Sequence, residues 1–262
     1  MNHIEGEAIA PATFPSLRGR RVFITGGGSG IGAAMVTAFA RQGAHVAFID
    51  IAEEPSAALA ARLVDEALPA PWWRGCDVRD VSALQNAIRD AAASIGDFHV
   101  LVNNVASDDR HTLDAVSAEY YDQRIAINQR PAFFAIQAVV PGMRQLGGGA
   151  IVNLGSIGWQ AKSGGYPCYA IAKSAVNGLT RGLARELGAS RIRINTVSPG
   201  WVMTQRQIDL WLDAEGEKEL ARNQCLPDRV QPDDIANMVL FLASDQARTC
   251  TAQEFVVDAG WL

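Results

Sequence analysis

Val22-Phe23-Ile24-Thr25-Gly26-Gly27-Gly28-Ser29-Gly30-Ile31-Gly32 runs from an apolar strand through a glycine-rich loop into an alanine-rich helix. Glycines let a backbone turn sharply and come close to a pyrophosphate, while a helix N-terminus offers it free N–H groups. The spacing is Thr-Gly-x-x-x-Gly-Ile-Gly rather than Gly-x-Gly-x-x-Gly. A loop of this composition can be a plain turn, but its position between strand and helix favours nucleotide binding. Asp50 then ends the second apolar run, 18 residues after Gly32. A carboxylate at that place accepts hydrogen bonds from the adenosine ribose and repels a 2′-phosphate. No Lys or Arg stands within the glycine loop or just after Asp50, which favours NAD over NADP.

Outward from this unit the same alternation repeats. Short apolar runs over Arg21–Thr25, His45–Ile49, Val100–Asn103, Ala150–Leu154, Arg193–Val197 and Glu254–Val257 read as strands. Near-continuous apolar strands are expected in a parallel sheet covered on both faces. Helical patterns over Ile31–Gln42, Pro55–Leu68, Val81–Ala92, Ala118–Leu146, Tyr169–Leu187 and Pro232–Ala243 fall between them. The alternation predicts an α/β fold, a Rossmann-type doubly wound parallel sheet. No linker-like stretch divides the chain, so residues 18–262 read as a single domain. Residues 1–17, with Glu5, Glu7, Pro11 and Pro15, read as a flexible N-terminal lead-in. Residues 201–226 interrupt the alternation. They read as a lid-like insertion near the C-terminus, over the sheet edge where open α/β sheets bind ligands.

Bulk properties narrow the function. A chain of 262 residues with 48% hydrophobic and 19% charged content can bury a sizeable core. The net charge of −5 argues against a nucleic-acid partner. No apolar run reaches the roughly 18 residues of a membrane span, and the N-terminus lacks the pattern of a signal peptide. Cys76, Cys168, Cys225 and Cys250 are far apart, and His3, His45, His99 and His111 are scattered. This gives no metal-site spacing and suits a reducing, cytoplasmic location.

Tyr169-Ala-Ile-Ala-Lys173 places a phenol and an ammonium one helical turn apart, with Ser156 thirteen residues upstream. A nearby ammonium favours the phenolate and is expected to draw the tyrosine pKa down. Such a tyrosine exchanges a proton with an alcohol, while a serine hydroxyl holds the same oxygen. The pair alone is a weak signal; its company in the chain strengthens it.

Taken in order, these motifs resemble those of the short-chain dehydrogenase/reductase family over essentially the whole chain. Thr25 to Gly32 is similar to the family's glycine motif, and Cys76-Asp77-Val78 to its adenine contact. Asn103-Asn104-Val105-Ala106 departs from the usual Asn-Asn-Ala-Gly. Asn128, Ser156, Tyr169 and Lys173 match the catalytic positions. The Pro199-Gly200 pair, with Val202 and Thr204, matches the nicotinamide side. The resemblance implies NAD held by Gly26, Ser29, Gly30, Ile31, Asp50, Asp77, Val78, Asn104, Tyr169, Lys173, Pro199, Gly200, Val202 and Thr204. It further implies that Ser156 and Tyr169 bind the reacting oxygen and that Lys173 lowers the Tyr169 pKa and bonds the nicotinamide ribose. Asn128 would hold a water joining Lys173 to solvent. A homotetramer is also implied.

The polar loop Ser107-Asp108-Asp109-Arg110-His111, with Trp159-Gln160 and with Trp201, Gln205 and Arg206, suggests a substrate bearing several hydroxyls. Asp109, Arg110, His111, Trp159, Gln160 and Arg206 are the substrate-binding candidates. The loop, the Gly155-Ser156-Ile157-Gly158-Trp159 stretch and Asp258-Ala259-Gly260-Trp261 resemble those of bacterial NAD-dependent aldose dehydrogenases within the family. This implies oxidation of an aldose such as D-xylose, or a related pentose or deoxyhexose, at C1 to the lactone. Residues 161–166 are this chain's own and are expected to line the substrate pocket, which leaves the particular sugar open. A dehydrogenase or reductase of another polyol, a secondary alcohol or a 3-oxoacyl compound stays open, with Trp201, Met203, Ile208, Leu210 and Trp211 as an apolar wall. So does a catalytically silent NAD-binding protein on the same fold.

Overall fold

The computed structural model describes residues 12–262. Seven strands alternate with nine α-helices: β1 (Arg21–Thr25), α1 (Gly30–Arg41), β2 (His45–Asp50), α2 (Glu53–Asp65), β3 (Trp72–Gly75), α3 (Val81–Ile95), β4 (Val100–Asn103), α4 (Ala118–Asn128), α5 (Arg130–Gln145), β5 (Gly149–Leu154), α6 (Pro167–Gly188), β6 (Ile192–Pro199), α7 (Gln205–Trp211), α8 (Ala214–Asn223), α9 (Pro232–Ala243) and β7 (Glu254–Val257). The strands form one parallel sheet in the order β3-β2-β1-β4-β5-β6-β7. The order reverses between β1 and β4, where Thr25 pairs with Asn103. A crevice opens at such a reversal outside the carboxyl ends of the strands.

Side chains alternate across each strand, and the central strands are covered on both faces. Val22 and Ile24 of β1, Val46 and Phe48 of β2, and Val100 and Val102 of β4 pack with Met35, Val36 and Phe39 of α1 and Ile235, Val239 and Leu242 of α9. Phe23, Ala47, Ile49, Leu101 and Ile151 face the other way, onto Leu84 and Ile88 of α3 and Ile136, Val139 and Met143 of α5. Two apolar layers therefore clamp the sheet. The polar ends of the strands are left at one edge.

The structure departs from the predicted elements in four places. The helical pattern over 118–146 divides at Gln129, whose φ of −133° and ψ of −53° leave the helix, two residues ahead of Pro131. Pro131 has no N–H to give the Ile127 carbonyl, so the ladder of α4 stops here and a new helix starts with Pro131 in its first turn. Strand β3 was not expected. It is a four-residue edge strand behind Pro69 and Pro71, too short to show a period. Residues 201–226, read as a lid-like insertion that interrupts the alternation, contain two helices, α7 and α8, capped by Thr204 and Asp213. Of the expected lead-in 1–17, residues 1–11 lie outside the described residues. Phe14–Leu17 is packed on the domain: Leu17 is buried, Phe14 faces Phe241, and the Phe14 N–H donates to Gln42 Oε1 at 2.7 Å.

Candidate active site

A cleft of about 1270 Å³ opens where the strand order reverses. Its nucleotide end is shaped by the glycines. Gly26 takes a φ of +70°, and a Cβ on Gly32 would lie 1.8 Å from the Gly26 carbonyl oxygen, so no larger residue fits between loop and helix. Asn104 of the β4 end donates from Nδ2 to the Gly26 carbonyl at 2.8 Å and fixes the loop to the sheet. Val105 presses on the same glycine, 2.9 Å from where its Cβ would stand. The larger residue in the Asn-Asn-Val-Ala segment is thus accommodated by Gly26 itself.

Asp50 accepts the Gly28 N–H at 2.8 Å and the Ala52 N–H at 2.9 Å, so its carboxylate is fixed at the end of β2. Asp77 is gripped by Arg79, which bonds both carboxylate oxygens through its side chain and one through its backbone N–H. Those bonds hold the Asp77 carboxyl below the usual range. Thr204 caps α7 by accepting the Gln207 N–H, and its methyl lies against Gly30 at the start of α1.

The residues present fit a dinucleotide. The N-cap Ser29 makes no side-chain capping bond, the first turn of α1 carries no acid, and the glycine cradle leaves no room for a Cβ at position 32. An unclosed helix N-terminus of this kind accepts a phosphate. Of the predicted cofactor set, Gly26, Ser29, Ile31, Asp50, Asp77, Val78, Asn104, Tyr169, Lys173, Pro199, Gly200, Val202 and Thr204 line the cleft. Gly30 stands one residue behind, under Thr204.

At the other end Ser156, Tyr169 and Lys173 share the cleft wall. Ser156 follows the end of β5, and Tyr169 occupies the third position of α6, a 22-residue helix with Pro167 at its start. The Ser156 hydroxyl accepts the Gly158 N–H at 3.1 Å and stands near enough to the Tyr169 phenol to influence its titration. Lys173 is buried and donates from Nζ to the Leu154 carbonyl at 2.7 Å; the nitrogen lies 5.8 Å from the Tyr169 ring centroid. The ammonium is therefore held by the end of β5 and not by the phenol. The expected lowering of Tyr169 does not appear. Burial pushes its pKa above the ordinary value, the Ser156 hydroxyl opposes this, and the Asp108 charge adds to the rise. Burial likewise draws Lys173 down to about 8. Two groups one turn apart in an apolar wall each lose hydration before their mutual attraction can act.

Asn128 does not line the main cleft. It ends α4 and braces the loop after β4, accepting the Ser107 N–H at 2.7 Å and donating to the Ser107 carbonyl at 3.1 Å. It lines a separate cavity of about 20 Å³, shared with Asn103, Asn153 and Lys173. That is room for one water, and the buried Asn103 Oδ1 on its wall has no hydrogen-bond partner among the described residues.

The predicted substrate set divides. Asp109, Arg110 and Arg206 line the cleft; His111, Trp159 and Gln160 do not. Gln160 donates to Glu254 Oε1 at 2.9 Å, which turns it toward β7. Trp159 is exposed. His111 is a brace: its Nε2 accepts the Cys168 N–H at 3.2 Å, and Nδ1 meets the Tyr120 hydroxyl at 3.1 Å. Asp109 pairs with Arg124 at 2.6 Å and with Arg206 at 3.3 Å. Burial raises its carboxyl, but the bonds from Ser107 and Arg124 and the charges of Arg124 and Arg206 prevail and hold it low. The cleft also contains Tyr166, Arg79 and Arg124, outside the predicted set. Sequence carried a signal for two of them. Tyr166 closes the 161–166 stretch expected at the pocket, and Arg124 lies four residues before Asn128 on the same face of α4.

The family model described as Enoyl-(Acyl carrier protein) reductase matches residues 26–262. The chain is 49% identical to the D-xylose 1-dehydrogenase of Caulobacter vibrioides, covering 97% of this chain and 100% of that one. It is 46% identical to the probable galactose dehydrogenase GalD of Rhizobium meliloti, over 94% of this chain and 96% of that one. Among solved structures, a 3-oxoacyl-[acyl-carrier protein] reductase with bound NAD from Brucella melitensis superposes with a TM-score of 0.88 at 29% identity, covering both chains completely. Fold, cleft and relatives together define an oxidoreductase that works with a nicotinamide dinucleotide. The chain belongs to the short-chain dehydrogenase/reductase family. Among the described residues no helix is long and apolar enough to cross a membrane.

Proposed function

We propose that this protein oxidises an aldose at C1 to the lactone, with NAD as the oxidant. The near full-length identity to a D-xylose 1-dehydrogenase and a probable galactose dehydrogenase carries the reading. The polar loop after β4, which contributes Ser107, Asp108, Asp109 and Arg110 to the cleft, agrees with a hydroxyl-rich substrate. Asp50, with no cation paired to it among the described residues, favours NAD over its 2′-phosphorylated form.

Each side chain has a task. Ser156 and Tyr169, which share the cleft wall, hold the reacting oxygen, and Tyr169 takes its proton. Bound NAD supplies the hydride acceptor and a positive charge beside the phenol. Lys173 keeps a second positive charge nearby and passes the proton on, and the small cavity it shares with Asn128 and Asn103 has room for one water to receive it. Asn128 additionally fixes the substrate loop through Ser107. Val202, Pro199 and Gly200 border the nicotinamide side, while Gly26, Ser29 and Ile31 hold the pyrophosphate and Asp77 and Val78 the adenine.

The runner-up is an acyl or simple-alcohol substrate against an apolar wall. Of Trp201, Met203, Ile208, Leu210 and Trp211, only the two tryptophans line the cleft, and Ile208 and Leu210 are exposed. This disfavours it. The same reading places the enzyme in the cytoplasm as a homotetramer. Its support is four free cysteines and the exposed Tyr121, Phe133 and Ile171 on three successive helices.

The test is reduced-nicotinamide formation with NAD or NADP against pentoses, hexoses, polyols and 3-hydroxyacyl esters. Turnover of an aldose with NAD, with release of a lactone, supports the reading, and Tyr169→Phe should lose about 1000-fold or more in kcat. Silence on every sugar with activity on acyl substrates overturns it.

A further inference from the structure

Arg110, Lys162 and Arg222 line the cleft without an ion pair among the described residues, and of the three only Arg110 lies over aromatic rings. Asp108 and Asp109 are matched there by Arg206 and Arg124. Arg110 makes no ion pair or hydrogen bond among the described residues; two aromatic faces hold it instead. Its guanidinium carbon lies 4.2 Å from the Tyr166 ring centroid and 4.8 Å from that of Trp211. Tyr166 in turn stands edge-on to Tyr169, with centroids 5.3 Å apart. The cation is thus one ring removed from the phenol of the reaction centre.

A guanidinium stacked on aromatic faces is fixed in its plane and bonds through its edges. A planar fork of N–H donors matches a carboxylate in bidentate fashion, with two parallel bonds and opposite charge where a single hydroxyl offers neither. Arg110 is exposed, and its contacts with the two rings restrict the side chain before any ligand arrives, which lessens the freedom lost on binding.

We propose that the cleft accepts aldoses carrying a carboxylate at the end opposite C1, the hexuronates, and that Arg110 is the residue that selects them. The inference rests on the aldose reading above. In this reaction the C1–H bond breaks with its electron pair going to NAD as hydride. The C1 hydroxyl proton passes to Tyr169, and the carbon–oxygen double bond of the lactone forms. The carboxylate is untouched, so the balance is one uronate and one NAD giving one aldarolactone, one reduced cofactor and one proton.

The experiment compares kcat/KM for D-galacturonate and D-glucuronate with that for D-galactose and D-glucose in the wild-type enzyme and in Arg110→Gln and Arg110→Lys. Calorimetric titration of D-galacturonate runs in parallel at low and high salt. The expected result is uronate turnover at least equal to that of the matching neutral hexose. In Arg110→Gln the uronate-to-neutral ratio should fall about 30-fold. Arg110→Lys should recover part of it, and affinity should weaken with salt. Oxidation of the neutral sugars without the uronates, or a ratio unmoved by Arg110→Gln in a protein with wild-type unfolding temperature, overturns the inference and leaves the aldose reading standing. No oxidation of any aldose removes both.

Discussion

Arg206 and Asp108, 98 residues apart in the chain, meet at 3.3 Å across the mouth of the cleft. Gln207 reaches the same carboxylate at 2.9 Å. The loop after β4 and the first lid helix are thereby joined over the substrate end. The contact is partly exposed, with Arg206 more open than Asp108, so screening keeps it weak. A double-mutant cycle of Arg206→Ala and Asp108→Asn should give a coupling of about 0.5–1 kcal/mol, shrinking with salt. Hydrogen exchange of α7 should quicken in either single variant; unchanged exchange would show that the latch does not order the lid.

Lys173 gives the pH dependence of the cofactor-free protein. Its folded pKa of about 8 lies below the 10.5 of an ordinary lysine. Between those values the unfolded chain binds the extra proton, so stability rises with pH across roughly 8 to 10.5 and the penalty is fully present below 8. Its size is about 3 kcal/mol. Tyr169 has the opposite sign. Its raised pKa means that stability falls once the unfolded phenol ionises, above about pH 10. Urea unfolding should show the gap between Lys173→Met and wild type changing by about 2 kcal/mol from pH 8 to pH 10. A constant gap would mean that Lys173 is not desolvated as described.

Asp50 should decide between the two nicotinamide dinucleotides. Its carboxylate is already fixed by the Gly28 and Ala52 N–H groups, so an incoming 2′-phosphate meets an immobile like charge. Asp50→Ala should raise the affinity for 2′,5′-ADP relative to ADP by about 100-fold, measured by calorimetry. A ratio that barely moves would place the discrimination elsewhere in the loop.

Two glycines give opposite expectations for the same substitution. An alanine at Gly32 drives its Cβ into the Gly26 carbonyl, and something must move. Gly32→Ala should lower the unfolding temperature by about 5 °C or more and cost at least tenfold in ADP-ribose affinity. Gly182, inside α6, has nothing within 4 Å of such a Cβ. Gly182→Ala should leave binding alone and stabilise by about 0.5–1 kcal/mol. Equal behaviour of the two variants would remove the steric account of the loop.

Most of the architecture was legible because it depends on local signals. The strand-to-glycine-to-helix run, the apolar period and the Tyr169–Lys173 spacing are written within a few residues of one another. The misses have a common cause. The break at Gln129 depends on Pro131 overriding a long helical pattern, and β3 exists only because β2 offers it an edge. The substrate residues failed most often because polar side chains near a site satisfy each other first. His111 and Gln160 carry the right chemistry, but the backbone of Cys168 and the carboxylate of Glu254 claim it. The Tyr169 pKa was misjudged for a related reason. Helical spacing reveals that Lys173 is near, whereas the competing Leu154 carbonyl becomes visible only in three dimensions.

The segment over the cleft is fastened at both ends. Thr204 seats its start against Gly30, and the Cys225 and Leu226 N–H groups bond the Ala259 carbonyl at its finish. What spans the gap between these moorings makes few of the contacts that hold the sheet together. For an engineer this is a cassette: residues 208–222 can be exchanged or randomised to seek new substrates while both splice points, and the dinucleotide cradle beneath them, are inherited unchanged.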